Sequence, residues 1–77
     1  MTGAFAFPPD QELVGRLRDD LRALSPAIAR RTAIEVSDGV VTLRGNVPTF
    51  HMRQLLVNRC QQVPGVTAVR DELKVRT

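Results

Sequence analysis

The sequence predicts an α+β domain with the order α-β-β-α-β, in which two helices pack on one face of a three-stranded mixed sheet. Two stretches place apolar residues at helical spacing, and three shorter stretches alternate apolar with polar residues. Turn-forming residues, mainly Gly, Pro, Asn and Asp, separate these stretches. A length of 77 residues gives room for one hydrophobic core. We therefore expect a flexible tail over residues 1–8 and a single domain over residues 9–77.

The first helix follows two consecutive prolines, of which the second suits entry into a helix. Asp10 is its expected N-cap, and Glu12 is favourable in its first turn. Leucines recur on one face at spacings of four, four and three residues. They are Leu13, Leu17, Leu21 and Leu24. Ser25-Pro26 is expected to end this helix, because a proline disfavours helical conformation in the residue before it.

A β-hairpin is predicted next, because the apolar positions alternate with period two. The positions expected to face the core are Ile34, Val36, Val41 and Leu43. Between them, Ser37-Asp38-Gly39 indicates a tight turn in which Gly39 adopts a positive φ. We assign Gly45 to a turn that closes the hairpin and Gly65 to a turn before the last strand.

The second helix and the third strand complete the order. Thr49 is the expected N-cap of a helix from Phe50 to Val63, which Pro64-Gly65 ends. Residues 66–75 alternate as a strand, and a right-handed crossover makes it parallel to the second strand. Asp71 alternates in step with Val69 and Leu73, so its side chain is expected on the core face of this strand. A buried unpaired carboxylate is costly, so we expect Asp71 near the sheet margin as a hydrogen-bond acceptor.

Two segments of the chain have a distinctive sequence pattern. They are Ile34 to Val47, which contains the run Asp-Gly-Val-Val-Thr-Leu-x-Gly, and Pro64 to Val75. Both segments resemble the BON domain family. With the helices, the resemblance covers about residues 10 to 76. The chain departs from the family pattern at Arg44, where a small hydroxyl residue is common, and at Asp71, where an Asn is common. The resemblance implies a bacterial, non-enzymatic interaction module associated with osmotic stress, membranes and binding of anionic phospholipid.

The charged residues are unevenly distributed. The chain has 11 basic and 8 acidic residues, a net charge of +3, and no acidic residue between Asp38 and Asp71. Arginine suits bidentate contact with phosphate. We therefore expect an Arg-rich, anion-binding face, unless these side chains are merely solvated. The resemblance implies that such a face docks to anionic phospholipid. The candidate anion- or lipid-binding residues are Arg44, Arg53, Arg59 and Arg70.

A protein–protein interaction or self-assembly module, with a possible homo-oligomer, is the alternative function. It would use the open sheet face or an edge strand. Nucleic-acid binding is less favoured. The sequence has neither a Walker-type phosphate loop nor the Gly-x-x-Gly loop of a KH domain, and its predicted strands carry no aromatic residue for base stacking.

The residue types do not predict catalysis, a metal site or a cofactor. His51 is the single histidine, and we expect it to be solvated or to cap a helix loosely. Cys60 is the single cysteine and is expected to be a buried structural thiol, or else an exposed thiol that oxidises or links two chains. Ser25 and Ser37 fall in turns, where serine is common. These residues form no triad and no set with the spacing of metal ligands.

The first seven residues carry no basic region and too short an apolar run for a signal peptide, and no segment is apolar enough to span a membrane. We expect a cytoplasmic location, or a periplasmic one if the chain was excised from a longer precursor. Phe5 and Phe7 alternate with alanines. The tail is expected to be disordered, or else to add to a sheet edge or enter an acyl boundary.

Overall fold

The computed structural model describes residues 9–76, and the predicted tail with Phe5 and Phe7 lies outside these residues. The chain folds in the expected order, with one short helix added between the first helix and the hairpin. The elements are α1 (Asp10–Leu24), α2 (Pro26–Arg31), β1 (Thr32–Ser37), β2 (Val40–Val47), α3 (Phe50–Gln61) and β3 (Ala68–Val75). The predicted α+β class and the α-β-β-α-β order are confirmed.

The sheet has the strand order β1-β2-β3. β1 is antiparallel to β2, and β3 is parallel to β2, as the crossover rule predicts. Ser37 pairs with Val40, so the hairpin loop is the two residues Asp38 and Gly39. Their φ angles are +50° and +81°, and positive φ at both central positions is the geometry of a type I′ turn. The predicted turn is therefore confirmed.

The core lies between the sheet and the helices. α1 packs against β1, and α3 packs against β3 and β2, so one face of the sheet is covered. The leucine stripe of α1 points into this core, although Leu24 at its end is only half-buried. The side chains with the least exposure are Leu13, Leu17, Leu21, Val41, Leu43, Val47, Leu56 and Cys60. Among residues 9–76, the helices all pack on this one face, so the opposite, polar face of the sheet is open to solvent.

The start of α1 needs a correction, and its end has a second role that was not predicted from the sequence. Asp10 is the first helical residue and Pro9 holds the N-cap position, so the expected Asp10 cap is wrong. Its carboxylate instead accepts a hydrogen bond from the backbone N–H of Asp38 (3.1 Å) and ties the helix to the hairpin turn. Ser25-Pro26 ends α1 as expected but also begins α2. The Ser25 hydroxyl accepts from the N–H of Ile28 (3.3 Å), with Pro26 in the first helical position.

Gly45 lies inside β2, so its assignment to a turn is wrong. A Cβ atom at this position would lie 2.6 Å from the carbonyl oxygen of Arg31, and its φ is +149°. Glycine is therefore required by the close approach of α2 to the strand. Gly39 and Gly65 do lie in turns, with positive φ.

The capping of α3 is confirmed. The Thr49 hydroxyl accepts a hydrogen bond from the N–H of Met52 at 3.0 Å. The helix ends at Gln61, two residues before the expected position, because a turn from Gln62 to Gly65 intervenes. β3 likewise begins two residues later than predicted, at Ala68.

Candidate functional site

One end of the sheet gathers basic residues from three elements. Thr32, the first residue of β1, pairs with Gly45 near the end of β2, and Asn46 pairs with Lys74 near the end of β3. The last turn of α2 leads directly into β1 at the same end. We call the resulting cluster the basic end. It consists of Arg30, Arg31, Lys74 and Arg76.

The backbone of the basic end is held by short contacts. The absence of a Cβ at Gly45 lets the Arg31 carbonyl approach β2. The Thr32 hydroxyl donates to the carbonyl of Ile28 (2.8 Å) and closes the last turn of α2. On the other side, the N–H of Arg76 donates to the carbonyl of Val47 (2.8 Å). Arg31 and Arg76 therefore extend from anchored positions on either side of one depression.

The cations of the basic end have no acidic partner in the described part of the chain. All four residues are exposed. Within residues 9–76, no carboxylate oxygen lies within 4.0 Å of their charged nitrogens. Exposed like charges without nearby carboxylates create a positive potential that attracts anions. Chemically, the basic end is suited to binding a polyanionic surface.

The N-terminus of α3 lies beside the basic end. Residues 48–50 follow Val47, which pairs with Val75 at the end of β3. The first turn of α3 contains no acidic residue, so its N-terminal dipole adds to the positive potential. Phe50 begins this helix. It is 57% exposed, and no other large hydrophobic residue among residues 9–76 is exposed.

Two of the predicted arginines lie on the uncovered face of the sheet in ion pairs. Arg44 donates through Nε to Glu72 (2.8 Å), and a second of its nitrogens lies 3.4 Å from Glu35. Arg70 lies 3.8 Å from Glu72. The hydrogen bond from Arg44, together with the charges of Arg44 and Arg70, lowers the pKa of the Glu72 carboxyl despite an opposing desolvation contribution. Positive and negative charges alternate across this face and compensate each other.

Arg53 is engaged in a third place, at the margin between α3 and β3. Its Nε donates to Oδ2 of Asp71 at 2.6 Å, and Oδ1 of Asp71 accepts from the N–H of Leu73 at 3.0 Å. The two side chains are only 36% and 23% exposed. The prediction for Asp71 is thus confirmed, and its partner Arg53 links a helix to a strand.

Arg59 lies near the far end of α3. It faces α1, where it lines a cavity together with Arg16 and Asp20. The four predicted arginines are therefore distributed over the open sheet face, the α3–β3 margin and the α1–α3 side. The structure does not bring them together on one surface.

The end of the sheet opposite the basic end is acidic. It carries Asp10 and Asp38 at the hairpin turn, and we call these two residues the acidic end. The turn is tied down because the N–H of Thr67 donates to the carbonyl of Gly39 at 2.8 Å. The acidic end and the basic end thus lie at opposite ends of the strands.

The reactive residue types are placed as structural or solvated groups. Cys60 is fully buried, as predicted, and burial, followed by the charge of Asp20, raises the pKa of its thiol to about 11. His51 is exposed at the start of α3, and Ser25 caps α2. Among residues 9–76, no three His, Cys, Asp or Glu side chains are grouped so that they could hold a metal ion. None of the helices in this range combines the length and the apolar composition that spanning a bilayer requires.

Sequence reasoning missed the residues of the basic end, although signals for them exist. The stretch from Arg22 to Arg31 contains no acidic residue, and Lys74 and Arg76 follow the last acidic residue of the chain. The predicted parallel pairing of the last strand brings these two stretches to one end of the sheet. The prediction instead weighted the gap between acidic residues along the chain.

Comparison with known families gives one match. The family model described as BON domain matches residues 9–77, which includes all the described secondary structure. No curated protein sequence matches the chain.

Proposed function

The chain belongs to the BON domain family, and we propose that it docks to anionic phospholipid surfaces through its basic end. The family is one of binding modules, and phospholipid binding is the activity associated with it. The observation that carries the proposal is the group of four exposed cations at one end of the sheet without a carboxylate within 4.0 Å among residues 9–76. The proposal moves the binding surface away from the four arginines singled out in the sequence.

The energetics favour the basic end over the open sheet face. A Lys or Arg near an anionic membrane surface contributes about 1 kcal/mol. Four such residues facing the membrane together would contribute about 4 kcal/mol, which is roughly a thousandfold in partition. On the sheet face, Glu35 and Glu72 oppose this attraction, because an anionic surface repels their carboxylates as strongly as it attracts Arg44.

Self-association is the second candidate function. The acidic end around Asp10 and Asp38 is complementary in charge to the basic end. Such a contact is heterologous, since it joins two different surfaces, and would produce closed rings or open chains of molecules. It predicts a weight-average mass that rises with protein concentration and falls with added salt in analytical ultracentrifugation. A monomer at all concentrations would rule this candidate out.

Co-sedimentation with vesicles tests the membrane proposal. We expect the chain to pellet with vesicles of phosphatidylglycerol and phosphatidylcholine and to remain in solution with phosphatidylcholine alone. Retention is expected to weaken with salt but to persist at physiological ionic strength, where the screening length is about 8 Å. Failure to pellet with anionic vesicles at that salt concentration would contradict the proposal. Single-stranded RNA and DNA serve as polyanion controls. We expect any retention on them to be lost at physiological salt, because the affinity of a few basic residues for nucleic acid falls steeply with salt concentration.

Matched double variants locate the surface. Arg31→Gln with Arg76→Gln alters the basic end, and Arg16→Gln with Arg59→Gln removes two cations elsewhere. Each pair lowers the net charge from +3 to +1, because each substitution removes one positive charge. At about 1 kcal/mol per cation, the basic-end variant is expected to bind about 30-fold more weakly. The Arg16 and Arg59 variant is expected to bind as the parent does. Equal weakening would mean that net charge and not a defined surface controls binding.

A further inference from the structure

The side chain of Phe50 is exposed without an evident role in the fold. It is 57% exposed, whereas the other large hydrophobic residues among residues 9–76 are buried or partly buried. A single exposed apolar residue is common on protein surfaces and requires no explanation by itself. The position of Phe50 supplies the further observations.

Phe50 lies close to the cations of the basic end. Phe50 follows Val47 by three residues, and a fully extended chain of three residues spans about 11 Å at most. Val47 is the residue whose carbonyl accepts the hydrogen bond from the N–H of Arg76. Phe50 therefore begins its helix at the same end of the sheet as Arg76, and its ring lies beside Arg53 and Asp71 at the α3–β3 margin.

The ring stands on an ordered support. The Thr49 hydroxyl caps the helix by accepting from the N–H of Met52 (3.0 Å), which fixes the backbone on which Phe50 begins the helix. The guanidinium of Arg53 lies 5.4 Å from the centre of the ring, within the range of a cation–π contact. Arg53 is in turn held by Asp71 at 2.6 Å. A ring supported in this way loses little conformational freedom when it enters an apolar environment.

We infer that Phe50 enters the boundary between headgroups and acyl chains when the basic end meets an anionic bilayer. The inference rests on the proposed membrane docking, and it assigns a second, apolar contact to the same surface. Basic residues around an apolar side chain are the combination that binds the interfacial region of anionic membranes. Full removal of a phenylalanine side chain from water strengthens partition about tenfold or more.

Tryptophan fluorescence gives a direct test. The chain contains neither Trp nor Tyr, so Phe50→Trp is its single reporter. With phosphatidylglycerol–phosphatidylcholine vesicles, we expect its emission to shift to shorter wavelength and to be quenched by lipids with brominated acyl chains. Gln11→Trp is the matched control, because Gln11 is exposed near the acidic end. Its emission is expected to remain unquenched while the protein pellets equally well.

The outcomes separate this inference from the membrane proposal. Quenching confined to the Trp at position 50, with an approximately tenfold weaker partition for Phe50→Ser, supports insertion. Pelleting without quenching at position 50 overturns the insertion of Phe50 while leaving membrane docking intact. Absence of pelleting for both Trp variants and the parent overturns membrane docking and the insertion with it.

Discussion

The open sheet face and the basic end are both rich in cations, but they differ in the carboxylates beside them. On the sheet face, Arg44 lies between Glu72 and Glu35, at 2.8 and 3.4 Å. At the basic end, Arg30, Arg31 and their neighbours have no such partner among residues 9–76. The comparison shows that the number of arginines in a region does not determine its potential. The placement of carboxylates across neighbouring strands does.

The two regions also differ in the interactions that hold their residues in place. The sheet face depends on ion pairs between side chains, which are largely exposed and contribute modestly to stability. The basic end depends on backbone contacts, above all the approach of the Arg31 carbonyl to Gly45. Substitutions in the two regions are therefore expected to differ in size and in the property they change.

The largest effect is expected from Gly45→Ala. The new Cβ would meet the Arg31 carbonyl at 2.6 Å in a backbone conformation that side chains rarely adopt. We expect the free energy of unfolding to fall by about 2 to 3 kcal/mol in urea denaturation. Gly15→Ala is the control, because a Cβ there meets nothing within 4 Å. In the middle of α1 it is expected to stabilise by about 0.5 to 1 kcal/mol. Equal stabilisation by both substitutions would show that the basic end does not need Gly45.

A smaller loss of stability is expected from Asp71→Ala. The substitution leaves the half-buried Arg53 guanidinium and the N–H of Leu73 without their acceptor. We expect the free energy of unfolding to fall by about 1 to 2 kcal/mol at neutral pH, because the pair is partly exposed and solvent screens it. Asp71→Asn keeps an oxygen acceptor and is expected to lose less. If Asp71→Ala unfolds at the parent's urea midpoint, then Arg53 is not a structural residue and belongs again among the binding candidates.

The smallest effect is expected on the sheet face and concerns pH. The hydrogen bond from Arg44, with the charges of Arg44 and Arg70, holds the pKa of Glu72 below its ordinary value. The depressed pKa means that this pair contributes to stability above the ordinary carboxyl pKa. The contribution is lost as pH falls through the depressed value. In an NMR titration of the side-chain carboxyl, Arg44→Gln is expected to raise the Glu72 pKa. An unchanged pKa would show that the ion pair does not form in solution.

Those parts of the fold that depend on neighbouring residues were predictable from the sequence. The leucine stripe of α1, the Asp38-Gly39 turn and the Thr49 cap each follow from residues a few positions apart. The helix α2 was missed because its six residues are too few to show a helical period. Gly45 was misplaced because its requirement comes from Arg31, which approaches it only in the folded chain.

The candidate site was harder to predict, because charge compensation acts between strands. Nothing local indicates that Arg44 meets Glu72, since they become neighbours only through the β2–β3 register. Asp71 is the exception. Its position in the alternation of β3 was enough to predict a carboxylate at the sheet margin that accepts hydrogen bonds. Its partner Arg53 was not predicted, because it lies on another element, α3.

The most direct test compares the two regions in one assay. Arg31→Gln with Arg76→Gln and Arg44→Gln with Arg70→Gln each remove two arginines and leave a net charge of +1. We would measure their partition onto phosphatidylglycerol–phosphatidylcholine vesicles at physiological salt. We expect the basic-end variant to bind about 30-fold more weakly and the sheet-face variant to bind within about twofold of the parent. Equal weakening of both variants, or greater weakening of the sheet-face variant, would contradict the assignment of membrane docking to the basic end.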